Sequence, residues 1–376
     1  MKNLKNPFRL KGYHGPGLFC DREAETALLI ENATNEINTT LLSIRRMGKT
    51  GLIHHCFNRL EKKKNWECIY VDIYATQNLA EFTNQMASAI LTKFPQNKSI
   101  GKKFIDLIKG FSPVISYDAL TGNPEISFNY SQEKQYEHSL KGLFNFLEQQ
   151  NQQVIIAIDE FQQIANYPEK NTEALLRTII QSLKNVVFIF SGSHKHLLIE
   201  MFNSAKRPFF SSTSPLHLGN IPSKKYTTFI KKIFKNRKKG IDDDSINFIL
   251  EWTRVHTYYT QALCNKIFTQ SDAEITIETV RIACDTILKE QENVFFQYRN
   301  LLTTPQWNLL KAIAKEDKVY QPTANAFTSK YKLGNSASVK RSLEALVSKE
   351  MVYKEDASEV NYYQVYDCFL SRWLER

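Results

Sequence analysis

The sequence predicts an α/β domain built on a parallel sheet, then a helical bundle, then a small winged-helix domain. Three observations predict it. From about residue 37, short apolar runs alternate with amphipathic stretches, as in parallel strands joined by helices. After residue 221 the strand signal disappears and four helical patterns follow. From residue 303 the pattern becomes three short helices and a terminal pair of strands, the layout of a winged helix. The expected division is therefore 1–221, 222–300 and 301–376.

In chain order, strands are expected at 37–43, 66–73, 154–158, 186–191 and 215–218. The helical patterns between them keep one face apolar, as with Leu52, Ile53, Cys56, Phe57 and Leu60, or Leu175, Leu176, Ile179, Ile180 and Leu183. Residues 95–150 make a long connection with a Lys-rich helix, then PVISYDA and PEISFNY around Leu120-Thr121-Gly122-Asn123. Alternation about a Gly-Asn turn reads as a β-hairpin, inserted on the core. The last domain is expected as helices at 305–314, 324–331 and 336–349, then VYKED and NYYQVYD around a polar turn.

Composition narrows the class. A chain of 376 residues exceeds one typical domain, and 42% hydrophobic residues supply a core and exclude global disorder. With 49 Lys and Arg against 39 Asp and Glu, the net charge is +10. That surplus either favours polyanionic partners or marks solvated helix faces, at the runs 62–64 and 224–239. Six scattered cysteines lack metal-ligand spacing and read as small buried hydrophobes in a reducing compartment. The amino terminus lacks the apolar run of a signal peptide, and no stretch reaches membrane-spanning length, so a cytoplasmic protein is expected.

Two segments carry chemistry. Ser43-Ile44-Arg45-Arg46-Met47-Gly48-Lys49-Thr50-Gly51 runs from a strand through a loop into a helix. Backbone N–H groups there would face phosphates, Lys49 would reach the β and γ phosphates, and Thr50 would ligate magnesium, as in a P-loop. Ser43 stands where that pattern has its first glycine. The second segment, Val154-Ile155-Ile156-Ala157-Ile158-Asp159-Glu160, is an apolar strand ending in two acids. A Walker B strand explains both features: Asp159 holds magnesium and Glu160 polarises the attacking water. The plain alternative is a strand whose acids cap the next helix. Ser191, at the end of a third strand, is placed to sense a γ-phosphate, although serine is also an ordinary strand-end residue. Asp72 ends the second strand similarly, and reads better as a loop acid.

The order of these elements resembles the archaeal-type ATPases of the STAND branch of P-loop NTPases, in versions common in Bacteroides-like bacteria. The fold this implies is a P-loop NTPase core followed by a helical lid and a C-terminal winged helix. Phe19-Cys20-Asp21-Arg22-Glu23, with Glu25, resembles the family's entry motif, which implies that Phe19 and Arg22 lie beside the adenine. Arg45-Arg46-Met47-Gly48-Lys49-Thr50 is similar to an arginine-bearing P-loop in which the first glycine is often absent. Arg207-Pro208-Phe209-Phe210 resembles a basic-aromatic segment before the fifth strand. Arg207 is read equally as a sensor, a partner-contacting finger or a surface charge. Arg254-Val255-His256-Thr257-Tyr258-Tyr259 resembles the lid motif, with His256 and the tyrosines in register. His256 is either a nucleotide contact or a satisfied, partly buried histidine. The end of the chain, from Tyr366 to Trp373, matches the family's closing strand and helix.

The resemblance implies ATP as ligand with Mg2+, and no guanine-reading Asn-Lys-x-Asp motif is present. Three readings of function follow. One is an ATPase whose hydrolysis drives a switch of lid and winged helix. Another is an ATP-gated regulator that binds double-stranded DNA with negligible turnover, supported by the charge and by Lys340, Arg341 and Lys349. The last is a scaffold that docks a protein partner through the winged helix.

Overall fold

Strands rich in β-branched residues that are apolar on both faces require helices above and below them. The computed structural model describes residues 6–63, 65–129, 133–271, 273–355 and 361–376, and this is the arrangement found there. Its chain divides into two compact units, residues 11–220 and residues 221–376 together with the first ten. Parts of the expected runs lie outside the described residues: Lys64, Tyr130, and positions 1–5 and 356–360, the last holding the polar turn of the ribbon.

The first unit contains α1 (Glu23–Thr34), β1 (Thr39–Leu42), α2 (Lys49–Leu60), β2 (Trp66–Asp72), α3 (Leu79–Lys93) and α4 (Ser99–Lys109). The hairpin β3 (Pro113–Tyr117) and β4 (Pro124–Phe128) follows, then α5 (Glu133–Glu148) and β5 (Gln153–Asp159). A 3-10 turn at Phe161–Asn166, α6 (Thr172–Ser182), β6 (Val186–Ser191), α7 (Lys195–Asn203) and β7 (Ser214–His217) complete it. Five strands form one parallel sheet in the order β2-β5-β6-β1-β7. Alternation along β5 sorts the core: Ile155 and Ala157 face Leu29, Leu52, Ile53 and Cys56 of α1 and α2. On the other face Val154, Ile156 and Ile158 join Phe82, Phe144, Phe188 and Phe190.

The hairpin forms with its expected turn, Asp118 accepting from the backbone N–H of Gly122 along the β3–β4 register. It is more than an addition on the core. Ile126, Phe128, Phe104 and Ile108 are buried in the same hydrophobic cluster as the sheet, and Ser88 and Asn84 of α3 bond the backbone of β4. All six cysteines are buried and outside any disulfide, and burial pushes the Cys56 thiol up to about 12.

The second unit opens with α8 (Ser223–Lys235), α9 (Asp243–Trp252), α10 (Thr257–Gln270) and α11 (Ile277–Asn300). Strand structure does not vanish after residue 221 as expected: β8 (Gly240–Ile241) and β9 (Glu274–Ile275) pair in parallel between these helices. The bundle then runs into α12 (Thr304–Glu316), α13 (Asn325–Lys330), α14 (Ser336–Ser348), β10 (Val352–Glu355), β11 (Tyr362–Val365) and α15 (Cys368–Leu374). Val319 bridges Tyr363 to widen the ribbon.

Bundle and winged helix are stitched into one unit. Arg372 of α15 caps the end of α9, its Nε donating to Trp252 O at 2.9 Å, where a cation also meets the negative end of the helix dipole. Arg254 donates to Ser371 Oγ at 2.7 Å and pairs with Asp317 at 2.5 Å. The amino-terminal segment is tied in as well. Phe8 is 1% exposed, 4.8 Å from the ring of Phe234 and 6.5 Å from that of Phe268. Asn6 donates to Asn265 O at 2.8 Å and Asn265 to Phe8 O at 2.6 Å.

Phe8→Ala should therefore destabilise the second unit by about 3–5 kcal/mol, the usual cost of emptying a buried aromatic site. Urea unfolding followed by tryptophan fluorescence reads mainly this unit, since three of the four tryptophans, Trp252, Trp307 and Trp373, belong to it and Trp66 to the first. An unchanged midpoint would show that this segment is not docked in solution.

Candidate nucleotide site

The site forms where β1 turns into α2. Gly48 is the N-cap residue of α2 at φ +96°, a backbone conformation that favours glycine. Arg46, two residues earlier, also has a left-handed φ of +61°. Ser43 is not among the positive-φ residues, so the missing first glycine imposes no backbone strain here. Its hydroxyl instead donates to Ile44 O at 2.9 Å and accepts from Lys49 Nζ at 3.3 Å. Met47 turns inward to the α1–α2 side of the core.

Lys49 is 7% exposed, and its ammonium has a second neutral acceptor, Ile44 O, at 3.3 Å. Among the described residues it makes no ion pair. Burial lowers its pKa, the charges of Asp159 and Glu160 oppose that, and Arg45 adds to it. A buried ammonium with only two long, neutral hydrogen bonds is a cation prepared for an anion.

Asp159 collects the neighbouring elements. Its Oδ2 accepts from Thr50 Oγ1 at 2.9 Å and Tyr70 OH at 2.7 Å; Oδ1 accepts from Ser191 Oγ at 2.5 Å and Glu160 N at 3.1 Å. Burial, and next the Asp159 charge, push the Tyr70 phenol up, so it remains the donor. The strand expected to end at Ile158 continues through Asp159, and Glu160 follows at φ +58°. That turn swings the Glu160 carboxylate out of the strand direction. One oxygen, Oε2, then accepts from Gln162 Nε2 at 2.5 Å, Ser193 Oγ at 2.8 Å and Ser193 N at 3.1 Å. Gly192 allows this: a Cβ there would stand 1.9 Å from Gln162 Oε1.

The other expected site residues are placed as follows. Phe19 stacks on His55 with centroids 4.3 Å apart, lies 3.5 Å from where a Cβ on Gly51 would stand, and neighbours Tyr13, which bonds His55 Nδ1 at 2.9 Å. Arg22 is 4% exposed, bonded to Glu25 at 2.8 Å and to Gly219 O at 2.6 Å, so its guanidinium ties the entry loop to the end of the sheet. Arg45 bonds His194 Nε2 at 3.1 Å. Ser191 is spent on Asp159 rather than exposed to a ligand. Asp72 accepts from Tyr74 N at 2.9 Å, a loop-acid role. Arg207 pairs with Glu173 at 2.7 Å, so here it is a structural cation of its own unit. His256 belongs to the second unit, where it packs on Tyr259 at 4.7 Å, and Tyr259 on Phe369 of α15 at 4.8 Å.

Family comparison agrees with this geometry. An ATPase domain family, predominantly from Archaea, matches residues 19–257, and a probable winged helix domain matches residues 293–376. The chain belongs to this ATPase family. It is an ATPase with a C-terminal winged helix, and it binds nucleotide. No curated protein matches it by sequence. Among solved structures, the Walker-type ATPase PABY2304 of Pyrococcus abyssi is similar at TM-score 0.66 and 18% identity, covering 98% of this chain and 100% of that one. The ORC2 protein of Aeropyrum pernix, in ADPNP-ADP complexes, is similar at 0.62 and 15%, covering 99% and 96%. The ORC1 protein of Aeropyrum pernix, in complex with DNA, is similar at 0.55 and 14%, covering 98% and 96%. At these identities the likeness is one of fold.

Sequence reasoning missed Tyr70, Gln162 and Ser193 as members of this ATPase's site. The available signal was polar spacing: a tyrosine on a buried strand, and a serine two residues beyond Ser191.

Gly192→Ala should push the Gln162 amide off Glu160; with Glu160 in its expected role as the base, this should lower kcat about tenfold and leave nucleotide Kd within about threefold of wild type, because a displaced base loses a 10²–10⁴-fold contribution only in part. Steady-state ATPase rates and calorimetric titration check it. An unchanged kcat would show that Glu160 works without this clamp.

Proposed function

We propose that this ATPase is a nucleotide-driven switch, in which occupancy and turnover at the P-loop alter the unit that carries the winged helix. The observation that carries the reading is buried Lys49, without a counter-ion, at a helix N-terminus beside the Thr50–Asp159 pair. In this reading the backbone N–H groups from Arg45 to Thr50 face the phosphates, and the Lys49 ammonium reaches the β and γ phosphates. Phe19, stacked on His55, borders the base, while Arg22 shapes its loop through Gly219.

The all-oxygen pair of Thr50 Oγ1 and Asp159 Oδ2 fits magnesium, a hard cation that keeps few protein ligands. When bound, that ion neutralises charge on the phosphates. Tyr70 and Ser191 hold the Asp159 carboxylate in place beside Thr50. Glu160 takes the proton of the attacking water as that water adds to the γ-phosphorus and the bond to the ADP oxygen breaks. Ser193 and Gln162 fix its carboxylate for that step.

For the second unit, the Arg254 and Arg372 bonds favour a lid and winged helix that respond together, with His256 in the lid part of that response. Membership of the STAND branch and a cytoplasmic location belong to the same reading; no helix among the described residues is long and apolar enough to cross a membrane. A second reading, with double-stranded DNA as a partner, is favoured by exposed Lys340 and Arg341 on α14 and by the DNA complex of the ORC1 protein. A protein docked on the winged helix is the remaining alternative.

Lys49→Ala should weaken ATP binding at least tenfold, because it removes a charge-assisted contact to phosphate. Undiminished binding by calorimetry would refute the site. Glu160→Gln should leave Mg-ATP affinity near wild type and slow turnover by roughly a hundredfold or more. A rate equal to wild type in a single-turnover assay would remove Glu160 as the base.

A further inference from the structure

The lysine run that begins the second unit forms a surface that the nucleotide site does not use. Helix α8 buries Tyr226, Ile230, Ile233 and Phe234 against its own unit. Its opposite side carries Lys224, Lys231, Lys232 and Lys235, continued past the helix end by Lys238, all exposed. From residue 223 to 239 the sequence contains no Asp or Glu. A solvated helix face is normally laced with i,i+4 pairs of opposite sign, whereas Lys231 and Lys235 repel each other at that spacing, at a cost of about 0.2–0.5 kcal/mol. Acids do lie next to the helix. Asp243, which starts α9, pairs with Lys231 at 2.8 Å, and Asp242 caps α9. Among the described residues Lys224, Lys232, Lys235 and Lys238 make no ion pair.

We propose that this face of α8 is a docking surface for the phosphate backbone of duplex nucleic acid, independent of the nucleotide site. From Lys224 to Lys235 the helix advances ~16 Å at 1.5 Å per residue. A duplex carries about nine phosphate charges over that axial length, one per ~1.7 Å. Flexible lysines on such a track supply affinity without sequence preference, as backbone contacts do.

Two other polyanionic surfaces fit less well. Membrane-bound helices insert their apolar side, and that side of α8 is already buried. Protein interfaces are anchored by exposed aromatic or arginine side chains in pockets, and the exposed side of α8 offers lysine with small polar residues.

The test uses the full-length protein and a fluorescent 30-base-pair duplex of arbitrary sequence, titrated from about 50 to 200 mM salt. Wild type should bind, with affinity falling steeply as salt rises. Changing Lys224, Lys232, Lys235 and Lys238 together to Gln should make the log–log salt slope shallower by roughly two to four units and weaken binding at least tenfold near 100 mM. ATPase rate and unfolding midpoint should stay at wild-type values, so that failure here and failure of the nucleotide site are told apart. Lys340→Gln with Arg341→Gln, on α14, gives the comparison: loss of binding there alone, with the α8 variant unchanged, would overturn the proposal. So would absence of duplex binding by wild type at 50 mM salt, or binding of polyglutamate in preference to duplex.

Discussion

A carboxylate taken out of water without hydrogen bonds is penalised by on the order of several kcal/mol or more, and Asp159 is only 6% exposed. What makes its burial tolerable is that four donors converge on it from different parts of the chain: the first turn of α2, the middle of β2, the end of β6, and the backbone just past β5. These elements can meet there only with β5 between β2 and β6 and with β6 next to the strand that feeds α2. The strand order and the site thus depend on each other.

Because Asp159 is bonded to the P-loop threonine, Glu160 is left to a different set of partners. Its left-handed φ moves its carboxylate to Gln162 and Ser193 rather than to the Asp159 group. Two adjacent acids therefore have separate hydrogen-bond shells, one drawn from α2, β2 and the end of β6, the other from Gln162 and the loop that follows β6.

The parallel sheet, the two acidic residues and the loop before α2 were legible because they write themselves locally. β-branched runs mark strands, and Gly-Lys-Thr at a strand-to-helix junction marks the loop. The partners of those groups were not legible, since they are set by strand order. Tyr70 reaches Asp159 through the β2–β5 register, and Ser193 reaches Glu160 through the β5–β6 pairing. The hairpin was readable from its turn, whereas its role in the core was not, because Ile126 and Phe128 alternate with exposed Glu125 and Ser127 in the way any surface hairpin does. The partners of Arg207, Ser191 and Arg22 were not legible either, for one reason. A polar side chain near a site is often there to hold the scaffold, and sequence does not show which donor has already been taken.

Phe8 has a consequence for how this chain is made. The aromatic side chains that enclose it, Phe234 and Phe268, are synthesised 226 and 260 residues after it, with the whole sheet unit in between. At ribosomal speeds of ~5–20 residues per second, the first few residues wait roughly 10–50 s before their partners emerge. During that interval the sheet unit can fold while its amino-terminal extension carries an exposed phenylalanine, open to any chaperone or protease that binds such segments. The segment around Phe8 can dock only once α8 and α10 have both emerged, so this contact forms after the sheet unit has been made.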